Sequence, residues 1–314
     1  MFPRSQAFLF AGVLLISLLL TRGGGTSPKE IAVSRNSLPS GGGFFSLQQA
    51  SIREIAVDVP RVPARRWDVP DPAISARAAL VYSLDDRIPL FYKNTKEAFT
   101  LASLTKLVTA IAVAEDIGLD KNIPITQEII ATEGEAGNLV SGEVYAARDL
   151  LAIMLLASSN DAAAAFEAYY GGTGKFAELL NRKVSEQELA STVLYDGSGL
   201  NDSNKSTAYD MFSLILYILE HHPDFFQLTQ NLQLNIQPVN DPQTKTVYNI
   251  NSLAGDPIFL GGKTGTSPEA GENLVALLRH GDRRIVTILF GSKNRAKDAH
   301  AVLDWIEEAY EFQN

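Results

Sequence analysis

Apolar residues follow two different periods along this chain, and the change of period separates strands from helices. Short stretches with alternating or continuous apolar positions predict β-strands at 76–83, 88–92, 244–250, 258–261, 273–280 and 284–290. Apolar residues that recur every three or four positions predict helices from near Ser103 and over 146–157, 161–170, 174–189, 206–220 and 297–312. Strands at both ends with helices between them predict one sheet completed by both ends of the chain, an α+β arrangement rather than a repeating βαβ one.

The N-terminal region differs in composition from the rest of the chain. Arg4 precedes an apolar run over residues 7–20, which is typical of a secretory targeting segment. The run is shorter than the roughly 20 residues that span a bilayer, and no clear cleavage signal follows, so a cleaved signal and a membrane anchor both stay open. Repeated glycines and prolines then predict a flexible linker. We expect residues 1–21 to be the targeting segment, 22–72 the linker and 73–314 one folded domain.

Composition excludes several classes of function. The net charge of -9 does not suggest a surface that binds nucleic acid. Because the chain has no cysteine, disulfides and thiolate metal sites are excluded. The four histidines show neither the spacing of a metal site nor a catalytic triad. We therefore expect no metal, no cofactor and no nucleic-acid partner.

A hydroxyl and an amine come together near the start of the first predicted helix. Ser103 and Lys106 stand three positions apart in the stretch LASLTKL, and such positions share one face of a helix. A serine becomes a useful nucleophile when a base takes its proton, and a lysine can be that base only as a neutral amine. Burial favours the neutral amine by lowering the pKa of lysine. The pair is a candidate nucleophile and base, although a capping serine beside a surface lysine would give the same pattern.

Two later stretches carry further candidate chemistry. Ser158 and Asn160 follow an apolar helix, where a hydroxyl could relay a proton and an amide could bind a substrate, with a simple N-cap as the alternative. Lys263 and Thr264 lie in GGKTGTS after a predicted strand, where they could bind a carboxylate while the strand edge pairs with a peptide. A solvated turn is the alternative there. A nucleotide phosphate loop is excluded, because Pro257 stands where that motif needs its first glycine.

The three stretches, taken together and in this order, resemble a known family. S-x-x-K at Ser103, S-x-N at Ser158 and K-T-G at Lys263 are similar to the three elements of the penicillin-recognising serine enzymes. Within that group, the chain resembles the low-molecular-mass D-alanyl-D-alanine carboxypeptidases over residues 74–312. The resemblance includes the stretch YDGSGL at 195–200, which looks like an intervening loop of that family.

The resemblance implies a role for each candidate residue. Ser103 would be the acylated nucleophile, Lys106 its base, and Ser158 would pass a proton to the leaving amine. The backbone amides of Ser103 and Thr266 would form an oxyanion hole. Lys263 would also help to keep Lys106 neutral by its like charge. The expected substrate-binding residues are Asn160, Lys263, Thr264, Thr266 and Arg295.

The resemblance also implies the fold, the activity and the partners. It implies a mostly antiparallel sheet flanked by helices, with a helical subdomain and a site between the two. It implies a serine-type carboxypeptidase without a cofactor that removes the terminal D-alanine of peptidoglycan stem peptides, with β-lactams as covalent inhibitors. The place of action would be the extracytoplasmic face of the membrane, the periplasm or the cell wall, and membrane association through the N-terminus stays open.

Several alternatives stay open beside this interpretation. Compact relatives without the β-rich C-terminal domain of many carboxypeptidases include endopeptidases that cut peptide crosslinks. A class A β-lactamase would need a water-positioning glutamate, and residues 186–190 nearly match that motif but lack its final asparagine. A non-catalytic module that binds cell-wall peptides is disfavoured, because every expected catalytic side chain is present. Arg295 would also fit an ordinary surface position at a helix start.

Overall fold

The computed structural model describes residues 63–134 and 136–312. Its strands, numbered in chain order, are β1 (Ala64–Arg65), β2 (Ala78–Ser83), β3 (Ile88–Lys93), β4 (Phe99–Thr100), β5 (Asn122–Pro124), β6 (Val144–Ala146), β7 (Lys205–Ser206), β8 (Gln233–Ile236), β9 (Lys245–Tyr248), β10 (Phe259–Ser267), β11 (Gly271–His280), β12 (Arg283–Ser292) and β13 (Tyr310–Glu311). Its α-helices are α1 (Lys106–Ala112), α2 (Ala147–Leu156), α3 (Asn160–Tyr170), α4 (Thr173–Glu186), α5 (Ala208–His221), α6 (Asp224–Gln230) and α7 (Arg295–Ala309). Shorter turns are of 3₁₀ type at Ala102–Thr105 and Ile129–Ala131 and of π type at Val113–Ile117.

Strands from both ends of the described chain build one five-stranded antiparallel sheet. Its strand order is β10-β11-β12-β2-β3, so the C-terminal strands join the first hairpin through the pair β12–β2. Helices α1 to α6 are inserted in the sequence between β3 and β10. This order confirms the predicted hairpin and the predicted α+β class, and it leaves β10 at one edge of the sheet.

Both faces of the sheet are covered by hydrophobic cores. Because side chains alternate along a strand, Leu80 of β2 faces the core shared with the inserted helices, whereas Val81 faces a second core. The second core is closed by α7, whose Trp305 packs edge-on against Phe91. Burial on both faces explains why the strands are almost continuously apolar in sequence.

The helix that carries the candidate nucleophile begins irregularly. The predicted start near Ser103 is confirmed, but the first turn is 3₁₀, with Leu104 N donating to Leu101 O at 3.2 Å. Ala102 has a left-handed φ of 47°, a conformation that is uncommon for any residue with a Cβ. Side chains three positions apart are aligned in a 3₁₀ turn, so Ser103 and Lys106 still share one face.

One carboxylate ties the π turn after α1 to two other helices. Glu115 accepts hydrogen bonds from Lys183 of α4 at 2.9 Å and from Tyr217 of α5 at 2.7 Å, and it lies 2.8 Å from His222 Nε2. Burial by itself raises the pKa of Glu115, but the hydrogen bonds from His222, Lys183 and Tyr217 outweigh it and lower the pKa to about 2. The C-terminal end of the α1 segment is thereby held in place.

The segment that precedes the sheet is docked on it from β1 onward. Strand β1 pairs with β13, and Trp305 Nε1 donates to Pro70 O at 2.7 Å. We expected a linker up to residue 72, but residues 64–70 lie against the folded domain, because their partners come from the far end of the chain. Residues 22–62 of the predicted linker and the apolar run at 7–20 lie outside the described residues. None of the helices in the described part of the chain combines the length and the apolar character needed to cross a bilayer.

Candidate active site

The predicted nucleophile and base lie next to each other. Lys106 Nζ is 2.9 Å from Ser103 Oγ. Lys106 is fully buried, whereas Ser103 is half-buried. A buried amine beside a reachable hydroxyl is the arrangement that nucleophilic catalysis by a serine–lysine pair requires.

Two oxygen acceptors hold the amine of Lys106. Its Nζ donates to Asn160 Oδ1 at 2.7 Å and to Ser198 O at 2.5 Å. A neutral primary amine has two N–H donors and one lone pair. With both N–H groups engaged by these acceptors, the lone pair is left to receive the proton of Ser103.

The environment of Lys106 favours this neutral state. Burial lowers the pKa of Lys106 to about 7, although the negative charges of Asp196 and Glu167 act to raise it. A substantial share of the molecules therefore holds a neutral amine near neutral pH. Burial is the largest cause of this shift. The like charge that the sequence suggested acts on the other amine, since the positive charge of Lys106 lowers the pKa of Lys263.

The two serines of the second motif have different tasks. Ser159 is the N-cap of α3, and its Oγ accepts a backbone N–H of the first turn at 3.1 Å. Ser158 has a left-handed φ of 57°, and its Oγ accepts a hydrogen bond from Lys263 Nζ at 2.7 Å. The capping alternative thus describes Ser159, while the hydroxyl of Ser158 belongs to the site. Asn160, the first residue of α3, directs its side chain to Lys106.

Glycines let β10 run close to the segment that carries Ser103. A Cβ on Gly265 would lie 2.7 Å from Leu101 O, and a Cβ on Gly262 would lie 2.2 Å from Val275 O. The predicted strand at 258–261 was too short, because β10 continues to Ser267 beyond a register shift between Phe259 and Gly262. Glycine weakens the sequence signal of a strand, but here it permits the close approach of neighbouring backbone.

Lys263 is buried between the second and third motifs. Its Nζ donates to Ser158 Oγ at 2.7 Å and to Thr264 O at 2.8 Å. Burial lowers the pKa of Lys263 well below its usual value, and the positive charges of Lys106 and Arg295 add to this effect. The Lys263 amine therefore connects the hydroxyl of Ser158 to the strand on which a substrate could lie.

Arg295 also lies at the third motif. It is the first residue of α7, and its Nη1 donates to Gly265 O and to Thr266 Oγ1, each at 2.8 Å. Arg295 is thus a helix-start residue that also lies beside β10, and its carboxylate-binding role stays a prediction. Thr264 is buried in the strand, whereas Thr266 is exposed beside the guanidinium.

The loop at 195–200 supplies contacts that the sequence did not reveal. Asp196 Oδ1 accepts the backbone N–H groups of Ser198 at 2.8 Å and Gly199 at 2.5 Å, which turns the Ser198 carbonyl toward the base. Gly199 lies against the nucleophile segment so closely that a Cβ would be 1.9 Å from Ala102 O. The resemblance of residues 195–200 to a family loop indicated that this segment matters, but it did not indicate that the Ser198 carbonyl contacts Lys106.

A buried asparagine fastens the nucleophile segment to the sheet. Asn273 of β11 donates through Nδ2 to Thr100 O at 2.8 Å and to Leu101 O at 3.1 Å, and its Oδ1 accepts Gly291 N–H at 2.9 Å. No local motif marks this residue, because its partners come from distant parts of the sequence.

The assembled groups suit acyl transfer. They comprise a hydroxyl beside a buried amine, a second hydroxyl hydrogen-bonded to another buried amine, and an edge strand for an extended peptide. Within residues 63–134 and 136–312, no group of three or more carboxylates and imidazoles is placed to hold a metal ion. Glu186, the glutamate of the β-lactamase-like stretch, ends α4 in an ion pair with Lys183 at 3.1 Å.

Comparisons with known proteins agree with the motifs. D-alanyl-D-alanine carboxypeptidase DacC of Escherichia coli is 27% identical over 262 residues, which cover 78% of this chain and 64% of that protein. The chain thus spans less than two thirds of the length of this relative. A D-alanyl-D-alanine endopeptidase of Pseudomonas aeruginosa is also 27% identical, over 74% of this chain and 78% of that protein.

A solved structure shows the same fold. The crystal structure of a D-alanyl-D-alanine carboxypeptidase from Mycobacterium tuberculosis H37Rv matches with a TM-score of 0.70 and 25% identity, covering 81% of this chain and 99% of that one. The sequence model of the family described as D-alanyl-D-alanine carboxypeptidase, peptidase family S11, matches residues 66–294. This match covers most of the chain and includes all three motifs. The chain therefore belongs to the D-alanyl-D-alanine carboxypeptidase family, peptidase family S11.

Proposed function

We propose that this protein is a serine-type D-alanyl-D-alanine carboxypeptidase that removes the terminal D-alanine of peptidoglycan stem peptides through an acyl-enzyme on Ser103. One observation carries the proposal. The buried amine of Lys106, with a pKa lowered to about 7, donates to two oxygen acceptors and lies 2.9 Å from Ser103 Oγ. Such an amine can take the proton of the nucleophile near neutral pH.

Acylation would follow from this geometry. Ser103 gives its proton to the lone pair of Lys106 as its oxygen bonds to the carbonyl carbon of the penultimate D-alanine. The backbone amides of Ser103 and Thr266 would stabilise the oxyanion. When the C–N bond breaks, Ser158, which is hydrogen-bonded to Lys263, gives its proton to the leaving amine. The proton that Lys106 took from Ser103 then passes to Ser158, which leaves Lys106 neutral for deacylation.

The terminal carboxylate of the substrate would be held by cationic groups at β10. Lys263, Thr264 and Arg295 meet at this strand, and Thr266 lies beside the guanidinium. The amide of Asn160 would hydrogen-bond to the peptide beside the base. An extended peptide lying along the edge strand would place its last carboxylate near the positive charges.

Deacylation would use the same base. A water molecule adds to the acyl carbonyl as Lys106 takes its proton, and the ester bond to Ser103 breaks with return of that proton to the serine oxygen. The shortened peptide then leaves. β-Lactams would acylate Ser103 by the same first step and would act as covalent inhibitors.

The proposed substrate implies where the protein acts. Peptidoglycan lies outside the cytoplasm, so the targeting segment predicted at 1–21 would direct export, with the catalytic domain following the linker. The place of action would be the extracytoplasmic face of the membrane, the periplasm or the cell wall. Detection of the mature N-terminus by sequencing would distinguish a cleaved signal from a retained anchor.

A D,D-endopeptidase that cleaves peptide crosslinks is a second candidate. The observation that favours it is the more complete match to the endopeptidase of Pseudomonas aeruginosa, 78% of whose length is covered, against 64% for the Escherichia coli carboxypeptidase. The carboxypeptidase of Mycobacterium tuberculosis, whose crystallised chain is covered over 99%, shows that the matched region also occurs in a carboxypeptidase. Release of free D-alanine from a pentapeptide, compared with cleavage of a crosslinked dimer, separates the two.

Mass spectrometry of the intact protein with a penicillin tests the proposal. We expect one covalent adduct, located on Ser103 and long-lived, and no adduct on the folded variant Ser103→Ala. Labelling of that variant at the wild-type rate would refute the nucleophile assignment. Rapid release of hydrolysed penicillin would instead indicate a β-lactamase.

A further inference from the structure

A buried carboxylate that the mechanism does not use lies close to the base. Glu167 stands seven residues after Asn160 in α3, two turns along the same face of that helix. It is only 8% exposed. Its Oε1 accepts the backbone N–H of Gly197 at 2.7 Å, and its Oε2 accepts the hydroxyl of Thr173 at 2.6 Å. Each oxygen of this carboxylate thus accepts one hydrogen bond.

The peptide group next to Glu167 is held from two sides. While Glu167 takes the N–H of Gly197, the hydroxyl of Thr109 on α1 donates to the Gly197 carbonyl at 2.7 Å. Gly197 has no space for a side chain, because a Cβ would lie 2.7 Å from Phe176 Cε1. The following carbonyl, that of Ser198, is the acceptor that takes an N–H of the base at 2.5 Å.

We propose that Glu167 is a positioning residue for Lys106. By holding the N–H of Gly197, it keeps the Ser198 carbonyl on one N–H of the amine, so that the lone pair faces Ser103. Glu167 itself forms no bond with the substrate and takes no proton from it. The inference rests on the proposed function, because it gives Glu167 a task only if Lys106 is the base.

The charge of Glu167 acts on the same amine. The charged groups that face Lys106 are Asp196 and Glu167, whose negative charges raise its pKa, and the buried Lys263. Burial raises the pKa of Glu167, while the hydrogen bonds from Thr173 and Gly197 act in the opposite direction. Glutamine at position 167 would keep an oxygen for Gly197 N–H but lose the charge, whereas alanine would lose both. The two substitutions therefore separate positioning from charge.

The experiment uses the full chain, Glu167→Gln, Glu167→Ala and the control Glu178→Gln. Glu178 is an exposed glutamate of α4, so the control makes the same chemical change away from the base. The first measurement is the rate of acylation by a penicillin as a function of pH. The second is the pH titration of the Lys106 Cε resonance in ¹³C-lysine-labelled protein, assigned with Lys106→Met, which needs no activity.

The expected results differ between the variants. Glu167→Gln keeps the plateau rate of acylation within about threefold, because the acceptor is retained. The acidic limb of its pH–rate profile and the midpoint of its Lys106 titration both move to lower pH by about half a unit or more. Glu167→Ala loses at least about tenfold of the plateau rate, because a misaligned base slows the reaction. Glu178→Gln is expected to match the wild type in both measurements.

Each contrary outcome has a distinct meaning. If the wild type is not acylated, the proposed function fails, and the NMR midpoints still decide on Glu167. A midpoint in Glu167→Gln that is equal to or above the wild-type value overturns the inference, as does a full plateau rate in folded Glu167→Ala. If the alanine variant does not fold, the glutamine variant alone decides through its titration.

Discussion

Replacement of Lys106 by methionine should abolish acylation and make the stability of the variant relative to the wild type fall as the pH rises above 7. Methionine has a similar unbranched shape without the amine, so it removes the buried group that resists charging. In the folded protein the pKa of Lys106 is lowered to about 7 from its ordinary value of 10.5, with burial as the largest cause. Between these two values the unfolded chain binds more protons than the folded one. The free energy of unfolding therefore rises with pH in this window. The destabilisation caused by burying the Lys106 amine is fully present below pH 7.

The size of the effect follows from the two pKa values. For a shift from 10.5 to about 7, the linkage relation gives a cost of about 4 kcal/mol at pH 7 and about 2 kcal/mol at pH 9. Methionine also leaves Asn160 Oδ1 and Ser198 O without their donor, which costs about 1–3 kcal/mol for each acceptor that stays buried. This second cost does not change with pH. The free energy of unfolding of the variant relative to the wild type should therefore fall by about 2 kcal/mol from pH 7 to pH 9.

Urea unfolding of both proteins at the two pH values measures this difference. Lys175→Met, at an exposed lysine of α4, is the matched control and should show the same difference from the wild type at both pH values. If the difference between Lys106→Met and the wild type is constant from pH 7 to pH 9, or grows, the amine of Lys106 is not held near neutrality and the base assignment loses its physical support.

Three further predictions test the rest of the site and its scaffold. Gly199→Ala brings a Cβ to 1.9 Å from Ala102 O, so we expect slower penicillin acylation and a free energy of unfolding lower by about 1–3 kcal/mol. Acylation at the wild-type rate would show that Gly199 does not lie against the nucleophile segment. Ser158→Ala should slow acylation by about 10²–10⁴-fold without a change in circular dichroism, since the proton relay linked to Lys263 is lost; an unchanged rate would exclude that relay. Glu115→Gln should lower the free energy of unfolding by about 1–2 kcal/mol at pH 7, allowing for solvent screening. Because the folded pKa of Glu115 is lowered to about 2, that loss should fade as pH falls from about 4.5 toward 2, and a pH-independent loss would argue against the ion cluster.

Local sequence was sufficient for the elements and for the side chains that carry the chemistry. The spacing of Ser103 and Lys106 already placed both on one helical face, and the structure joins them at 2.9 Å. The N-cap of α5 is likewise a local feature, since Thr207 accepts the N–H of Asp210 at 3.0 Å. These features depend on neighbours within a few positions, so helical and strand geometry alone defines them.

Tertiary structure decided the contacts around Lys106, the proposed base. The Ser198 carbonyl, the carboxylate of Glu167 and the anchoring amide of Asn273 come from three separate segments, and nothing in the residues around Lys106 indicates them. Local sequence does not indicate the pairing of β1 with β13 either, because the two strands lie at opposite ends of the described chain. A pKa depends on the burial and charges that all segments produce together, and therefore only the folded chain determines it. The sequence by itself determined which groups are present and in what order, and the closing of the helices onto the edge of the sheet determined which of them meet.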